Sequence, residues 1–298
     1  MTSANAVDPV PTSFHRTAIA GTEIFHREAG PQDAPALLLL HGFPASSHMF
    51  RDLIPRLAGQ YRVIAPDYPG FGHSGAPSPA EFDYRFDRLA DVVEELVERL
   101  GLKSYVLYMQ DYGGPVGFRL ALRRPERVRG LIVQNAVANA EGWNPEVTAS
   151  MGPFWRERNA ETEKPFTDLL KPETTRFQYV HGAARAERLS PDAWTMDQAG
   201  LDRPGNSEIQ LRLLHDYQSN FAAYPAWQRY LVERQPPMLI VWGKNDPFFT
   251  LKGVDYLKQQ VPGAEIHLFD AGHFALETHA GEIAERIRAF MARLTPSR

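Results

Sequence analysis

The chain has 298 residues, 43% hydrophobic and 23% charged, enough to bury one large core or a core interrupted by an insertion. Its net charge of −4 comes from 32 basic and 36 acidic residues with no basic block, which argues against a nucleic-acid partner. The absence of cysteine removes disulfides, thiolate catalysis and cysteine-held zinc together.

The N-terminal stretch MTSANAVDPVPTS has neither a basic n-region nor an apolar h-region, so it does not read as a signal peptide and is expected to be loosely held. Residues 14–20 and 23–29 alternate in polarity and read as a β-hairpin around Gly21-Thr22. Ala36–Leu40 (ALLLL) is a continuous apolar strand, far too short to span a bilayer, and leads into the turn HGFPASS. An amphipathic segment at 49–57 precedes a buried strand at Arg62–Pro66 and the loop DYPGFGHSGAPSP. Residues 86–100 carry Leu89, Val92, Val93, Leu96, Val97 and Leu100 at helical spacing and stop at Gly101. Then 104–110 reads as a strand, 115–122 as a helix and 128–133 as a strand.

From 137 to about 234 no β-like apolar run occurs. The segment is polar, proline-punctuated and aromatic, and holds four of the five tryptophans (Trp143, Trp155, Trp194 and Trp227), which makes it a candidate pocket lining. The β/α rhythm returns with a strand at 236–243, a helix at Leu251–Gln260, a strand at Glu265–Phe269 and a helix at 277–294. Strands alternating with helices predict a mostly parallel sheet covered on both faces. The expected division is a core of 1–137 and 235–298 with a helical insertion at 138–234.

Three residues stand at the C-terminal ends of predicted strands: Asp111 in YMQDYGG, Asp246 in VWGKNDP and His273 in DAGHF. Ligands and catalytic groups gather at that edge of an open α/β sheet. Taken singly, each has an ordinary explanation. Asp111 is a good helix N-cap, Asp246 beside Pro247 is turn chemistry, and His273 is a hydrogen-bonded histidine. Their joint position and order, carboxylate then acid then histidine, is what those explanations leave out.

Through these residues the chain resembles an α/β-hydrolase of the epoxide hydrolase/haloalkane dehalogenase group, whose nucleophile is aspartate. The matching stretches are HGFP at 41–44, DYPGFGHSG at 67–75, QDYGG at 110–114, GKNDP at 243–247 and GHF at 272–274. They span nearly the whole core and are weaker over the insertion. The resemblance implies an eight-stranded, mostly parallel sheet with helices on both faces and an inserted helical cap. A carboxylate, with a reference pKa of about 3.9, is already an anion at neutral pH, whereas a serine must first lose a proton. Asp111 is therefore expected to attack an sp³ carbon and form an alkyl ester. His273, oriented by Asp246, would then activate the water that hydrolyses it. The resemblance also implies that the backbone N–H groups of Phe43 and Tyr112 stabilise the oxyanion. His41, His48 and His73, in the loop-shaping motifs, read as structural.

Several residues depart from the group's pattern. Met109 stands two before Asp111, where the fold usually has a small residue, and Tyr112 stands where dehalogenases of the group carry a tryptophan. HGFP, with Phe43, is the common epoxide-hydrolase form, whereas dehalogenases usually have Asn or Glu there. Epoxide opening also needs an acid for the leaving alkoxide, typically two cap tyrosines, and a phenol suits this because it stays protonated at pH 7. Tyr217 in LLHDYQSN resembles the second of these. The neighbourhood of the first holds Phe154 and Trp155, with Tyr179 and His181 further on, so Trp155 and Tyr179 are candidate pocket residues and Tyr224 reads as packing.

The leading expectation is an epoxide hydrolase making vicinal diols. A haloalkane or haloacid dehalogenase using the same residues is the alternative, although Arg119 lies too deep in its helix to hold a carboxylate. A non-catalytic small-ligand-binding protein is the alternative of another class. The expected partner is a small molecule, an apolar epoxide or halide, with no cofactor, metal, nucleic acid or membrane. A homodimer is left open, and a cytoplasmic location is expected.

Overall fold

The computed structural model describes residues 10–294, so residues 1–9 of the N-terminal stretch expected to be loose lie outside it. Eight strands follow in chain order: β1 (Ser13–Ile19), β2 (Thr22–Ala29), β3 (Ala36–Leu40), β4 (Arg62–Pro66), β5 (Tyr105–Gln110), β6 (Val128–Gln134), β7 (Met238–Gly243) and β8 (Glu265–Phe269). The helices before β6 are α1 (Ile54–Leu57), α2 (Phe86–Arg99) and α3 (Gly113–Arg123). Between β6 and β7 come α4 (Pro145–Arg156), α5 (Ala160–Leu169), α6 (Pro172–Val180), α7 (Pro191–Leu201), α8 (Asn206–Asp216) and α9 (Gln218–Arg234). The chain returns through α10 (Leu251–Gln260) and α11 (Leu276–Leu294).

The strands form one sheet in the order β1-β2-β4-β3-β5-β6-β7-β8. The first two neighbouring pairs are antiparallel and the remaining five parallel, so the expected mostly parallel eight-stranded sheet is present. The unbroken apolar run of β3 is explained by burial on both faces. Leu38 and Leu40 pack with Val93, Leu96, Val116 and Leu120 of α2 and α3. Leu37 and Leu39, which point the other way, pack with Leu53, Leu57, Ile283 and Ile287.

Local chemistry accounts for most differences from the expected boundaries. The hairpin turns through Ala20 and Gly21 rather than Gly21 and Thr22, because Ile19 pairs with Thr22 and leaves a two-residue loop. Both loop residues have positive φ (50° and 80°), as the tight hairpin turn that matches strand twist requires. The segment 49–57 is not one helix but a 3₁₀ turn at Ser47–Phe50 followed by α1. Pro55, in the first turn of α1, has no N–H to continue a preceding helix. Helix α11 bends at His279, whose backbone is non-helical.

The strand order reverses direction at one point. From β3 the chain crosses to β4 on one side, and from β5 it crosses to β6 on the other. The loops after β3 and β5 therefore diverge and leave a crevice at the carboxyl ends of these strands, where open α/β sheets bind ligands. Phe43 follows β3 and Asp111 follows β5. Among the described residues, no helix is long and apolar enough to cross a membrane.

Candidate active site

Asp111 sits between β5 and α3 with φ of 48°, a left-handed conformation in which Asp and Asn are the most tolerated non-glycine residues. This turn carries the chain from strand to helix in two residues and lifts the carboxylate above the sheet edge. One oxygen, Oδ1, accepts the Phe43 N–H at 2.6 Å, and the Tyr112 N–H also bonds the carboxylate. The other, Oδ2, lies 4.0 Å from His273 Nε2. Gly42 makes the approach possible, since a Cβ there would collide with the Asp111 carboxylate. The room that Met109 needs comes from the opposite side, from Gly117 of α3, whose missing Cβ leaves space for the thioether.

His273 Nδ1 meets Asp246 Oδ2 at 2.8 Å. The remaining valences of Asp246 are filled by the Phe248 N–H on Oδ1 at 2.8 Å and by Asn135 Nδ2 on Oδ2 at 2.7 Å. Asn135 directly follows β6, also at positive φ (44°), and its Oδ1 accepts the Gly243 N–H at 2.9 Å. It therefore ties β6 to the loop carrying Asp246. Sequence reading missed Asn135, whose only signal is an amide directly after the buried run LIVQ. It also gave no role to Gln110, whose Nε2 lies 2.8 Å from His273 Nε2. With Nδ1–H donated to Asp246, Nε2 carries the lone pair and accepts from that amide. Turned over, the unpartnered Gln110 Oε1 can accept from an imidazolium instead.

Burial is the largest influence on Asp111 and raises its pKa, against the pull of His273 and the two backbone N–H groups. Burial pulls His273 down, but the charge and hydrogen bond of Asp246 and the charge of Asp111 outweigh it and raise its pKa above 6.5. The two groups thus sit within reach of each other in a buried site where each favours the other's charged form.

Above them lies a cavity of about 210 Å³, small against the roughly 300 Å³ at which drug-sized pockets begin. Phe43, Asp111, Tyr112 and His273 form its floor, and Trp143, Met151, Phe166, Gln178, Leu214 and Tyr217 are among its upper walls. No Lys or Arg is among the lining residues. Arg119 is instead held by Asp87 at 2.5 Å and Asn220 at 2.7 Å, bracing α2, α3 and the start of α9.

Tyr217 lines the cavity as expected of a site residue, with its ring 5.9 Å from that of Tyr112. Its hydroxyl bonds that of Tyr224, which accepts Trp143 Nε1–H at 3.1 Å, so Tyr224 is more than packing. Burial raises the Tyr217 pKa well above 10 and keeps the phenol protonated. The hydroxyl of Tyr112 has no hydrogen-bond partner among the described residues.

Two expected pocket residues do not line the cavity. Tyr179 donates to Asp197 and stacks on Phe274 with centroids 4.0 Å apart, so its hydroxyl is spent among the helices between β6 and β7. Trp155 stands behind the wall, its Nε1–H on the Leu214 carbonyl at 2.9 Å and its ring 6.1 Å from Tyr217. Of the four tryptophans between 137 and 234, only Trp143 reaches the cavity. His41 is structural in its contacts: Nε2 accepts the Tyr68 N–H at 3.2 Å, leaving Nδ1–H for the Gly42 carbonyl at 2.9 Å. Among the described residues, no group of His, Cys, Asp and Glu could hold a metal ion.

Comparison with known proteins agrees with this architecture. Uncharacterized hydrolase YNR064C of Saccharomyces cerevisiae is 40% identical over 283 residues, covering 94% of this chain and 97% of its own. A haloalkane dehalogenase of Mycobacterium marinum is 32% identical over 287 residues, covering 93% of each. The crystal structure of haloalkane dehalogenase DbeA from Bradyrhizobium elkani superposes with a TM-score of 0.78 at 25% identity, covering 95% of this chain and 99% of that one. The family model for the alpha/beta hydrolase fold matches residues 35–280, a span that takes in both ends of the sheet crevice and every residue facing it, and the chain belongs to that family.

Proposed function

We propose that this hydrolase opens a small neutral epoxide to a vicinal diol through an alkyl ester on Asp111, with the helices of 138–234 acting as a lid on a core of 1–137 and 235–298. The observation that carries this reading is the carboxylate itself. One oxygen is held by the Phe43 N–H and the other is 4.0 Å from His273, under an apolar cavity that offers phenols but no cation. Oδ2 attacks the less hindered ring carbon and the C–O bond of the epoxide breaks. A water deprotonated by His273 then adds to the ester carbonyl carbon, whose oxygen is the Oδ1 already facing the Phe43 and Tyr112 N–H groups; the bond from that carbon to Oδ2 breaks, and the imidazolium returns its proton to the departing diol oxygen. Asp246 balances the imidazolium, and Asn135 and the Phe248 N–H hold Asp246 in place.

The leaving alkoxide needs a donor, and Tyr217 is suited to that role. In the free protein the Tyr217 O–H is paired with the Tyr224 hydroxyl, and reversing that bond, so that Tyr224 donates while still accepting from Trp143, would turn the Tyr217 proton to the substrate. Tyr217→Phe is expected to slow epoxide alkylation at least tenfold in single turnover. That floor is cautious, since an oxyanion donor is typically worth about 3–4 kcal/mol. Halide release from a bromoalkane, which needs no proton, should change less. An unchanged alkylation rate on the best epoxide would remove Tyr217 from the site.

A second reading is haloalkane dehalogenation, favoured by the relatives that carry that name and served by the same Asp111 chemistry. Bromoalkane turnover above epoxide turnover in the unmodified protein would put it first. The haloacid variant is disfavoured because no cation lines the cavity. A purely ligand-binding role would leave the Asp246–His273–Asp111 alignment without a use.

The pH dependence follows from the charges. His273 must be neutral to accept a proton, and Asp111 is one of the groups raising its pKa. Esterification removes that charge. Ester hydrolysis should therefore rise with pH to a plateau, with an apparent pKa below that of His273 in the free protein, read by NMR titration of the imidazole. An apparent pKa at or above the free value would mean that Asp111 is not the group esterified.

A further inference from the structure

The cavity lining holds three polar side-chain groups that the proposed reaction does not use: the Ser150 hydroxyl, spent on the Val147 carbonyl at 3.0 Å, the Tyr112 hydroxyl on the floor, and the amide of Gln178. Gln178, in the last turns of α6, is 3% exposed and lines the cavity. Its Nε2 is buried and has no hydrogen-bond partner among the described residues. A buried amide without partners is costly, and native proteins rarely keep one without a reason. The side chain is also in the wrong place to be a spare surface group. The next residue, Tyr179, stacks on Phe274 of the His273 loop, and Asn245 Nδ2 donates to the Gly182 carbonyl at 2.8 Å. The end of α6 is therefore fastened to the two loops that carry Asp246 and His273, and Gln178 enters the cavity from their side. Tyr217 enters from the junction of α8 and α9, against Tyr112 and Phe86.

We infer that Gln178 is a specificity residue, and that the substrate carries a neutral oxygen function, a hydroxyl or carbonyl, next to its reacting carbons. A primary carboxamide offers two donors and an acceptor and no charge, so its complement is a group that accepts, or accepts and donates, a neutral hydrogen bond. A carboxylate or phosphate is a poor match, because no Lys or Arg is among the lining residues and the proposed nucleophile on the floor attacks as an anion. The rest of the lining around Gln178, including Val147, Met151, Phe166 and Leu169, is apolar. The amide therefore singles out one polar position on an otherwise apolar ligand. Discrimination by such a site is strong, because an analogue lacking the polar group leaves the buried amide unpaired.

This inference rests on the covalent reading above, and the test separates the two. Isosteric pairs differ only in the oxygen: glycidol against 1,2-epoxybutane, and 2-bromoethanol against 1-bromopropane. The unmodified protein should have the higher kcat/KM on the oxygenated member of whichever pair it turns over. In Gln178→Leu, kcat/KM on the oxygenated member should fall about tenfold or more, the scale of one buried hydrogen bond, mainly through KM. The apolar member should hold its rate or gain, which also reports that the variant is folded and the site intact. Gln178→Asn, with the amide one methylene short, should lie between the two. Equal losses on both members would make Gln178 a structural residue or a donor to the leaving group, and would overturn the inference. So would a protein that turns over both members without preference. If neither pair reacted, and no adduct formed on Asp111, the covalent reading itself would fail.

Discussion

In a His273→Gln variant mixed with a substrate that the unmodified protein turns over, intact-protein mass spectrometry is expected to show one substrate mass added to the chain, with peptide mapping placing it on Asp111. The reason lies in what each residue does to charge. Attack needs only the carboxylate form of Asp111, which the Phe43 and Tyr112 N–H groups favour against the burial that raises its pKa. Hydrolysis of the ester is different, since a neutral water must lose a proton as it attacks. His273 is the group positioned for that, 4.0 Å from Oδ2 and anchored at Nδ1 by Asp246. Glutamine has no basic nitrogen, so the second step should slow by roughly 10⁴-fold or more while the first persists. Loss of turnover without an adduct, with ligand binding intact, would mean that the carboxylate does not attack.

The second large effect is expected in Asp111→Asn, with turnover falling by roughly 10⁴-fold or more on the same scale. This variant separates chemistry from folding. Asparagine tolerates the left-handed backbone at φ of 48° as well as aspartate does, and its carbonyl oxygen can accept the Phe43 N–H. The sign of the stability change follows from the raised pKa. A carboxylate whose pKa is higher folded than unfolded favours the folded state less as pH rises from the unfolded value through the folded one. Above that window, removing the charge should leave the melting temperature unchanged or higher. Activity that persists, without slow deamidation back to aspartate, would exclude Asp111 as the attacking group, while a large fall in melting temperature would show that its charge is needed for folding.

Much of the architecture was legible because it is written locally. Apolar runs such as ALLLL and LIVQ can only be strands buried on both faces, and the helical spacing from Leu89 to Val97 marks one side of α2. Asp111, Asp246 and His273 were visible for the same reason, as polar residues at the points where such runs stop. The lid was harder. Its helices carry many aromatics, and composition does not say which of them face inward. Trp155 and Tyr179 were reasonable pocket candidates, yet the cavity takes Trp143 and Gln178 instead. Neighbours on a helix point about 100° apart, so the turn that directs Tyr179 to Asp197 necessarily sends Gln178 elsewhere.

By itself, then, the sequence determined the alternation of strands and helices, the one interruption between β6 and β7, and the chain order of the carboxylate, acid and histidine. These are properties of segments, set by periodicity and by where each apolar run ends. Tertiary structure alone decided which distant groups meet: the Phe43 N–H with Asp111, 68 residues away, and Asn135 with Asp246, 111 residues away. It also decided that Arg119 is occupied by Asp87 and Asn220, and that Gln178 Nε2, beside the cavity, has no partner among the described residues. The physical reason is that hydrogen bonding is satisfied across the whole fold. Whether a buried amide or guanidinium is available to a ligand depends on the neighbours that packing gives it, and no local pattern along the chain encodes those neighbours.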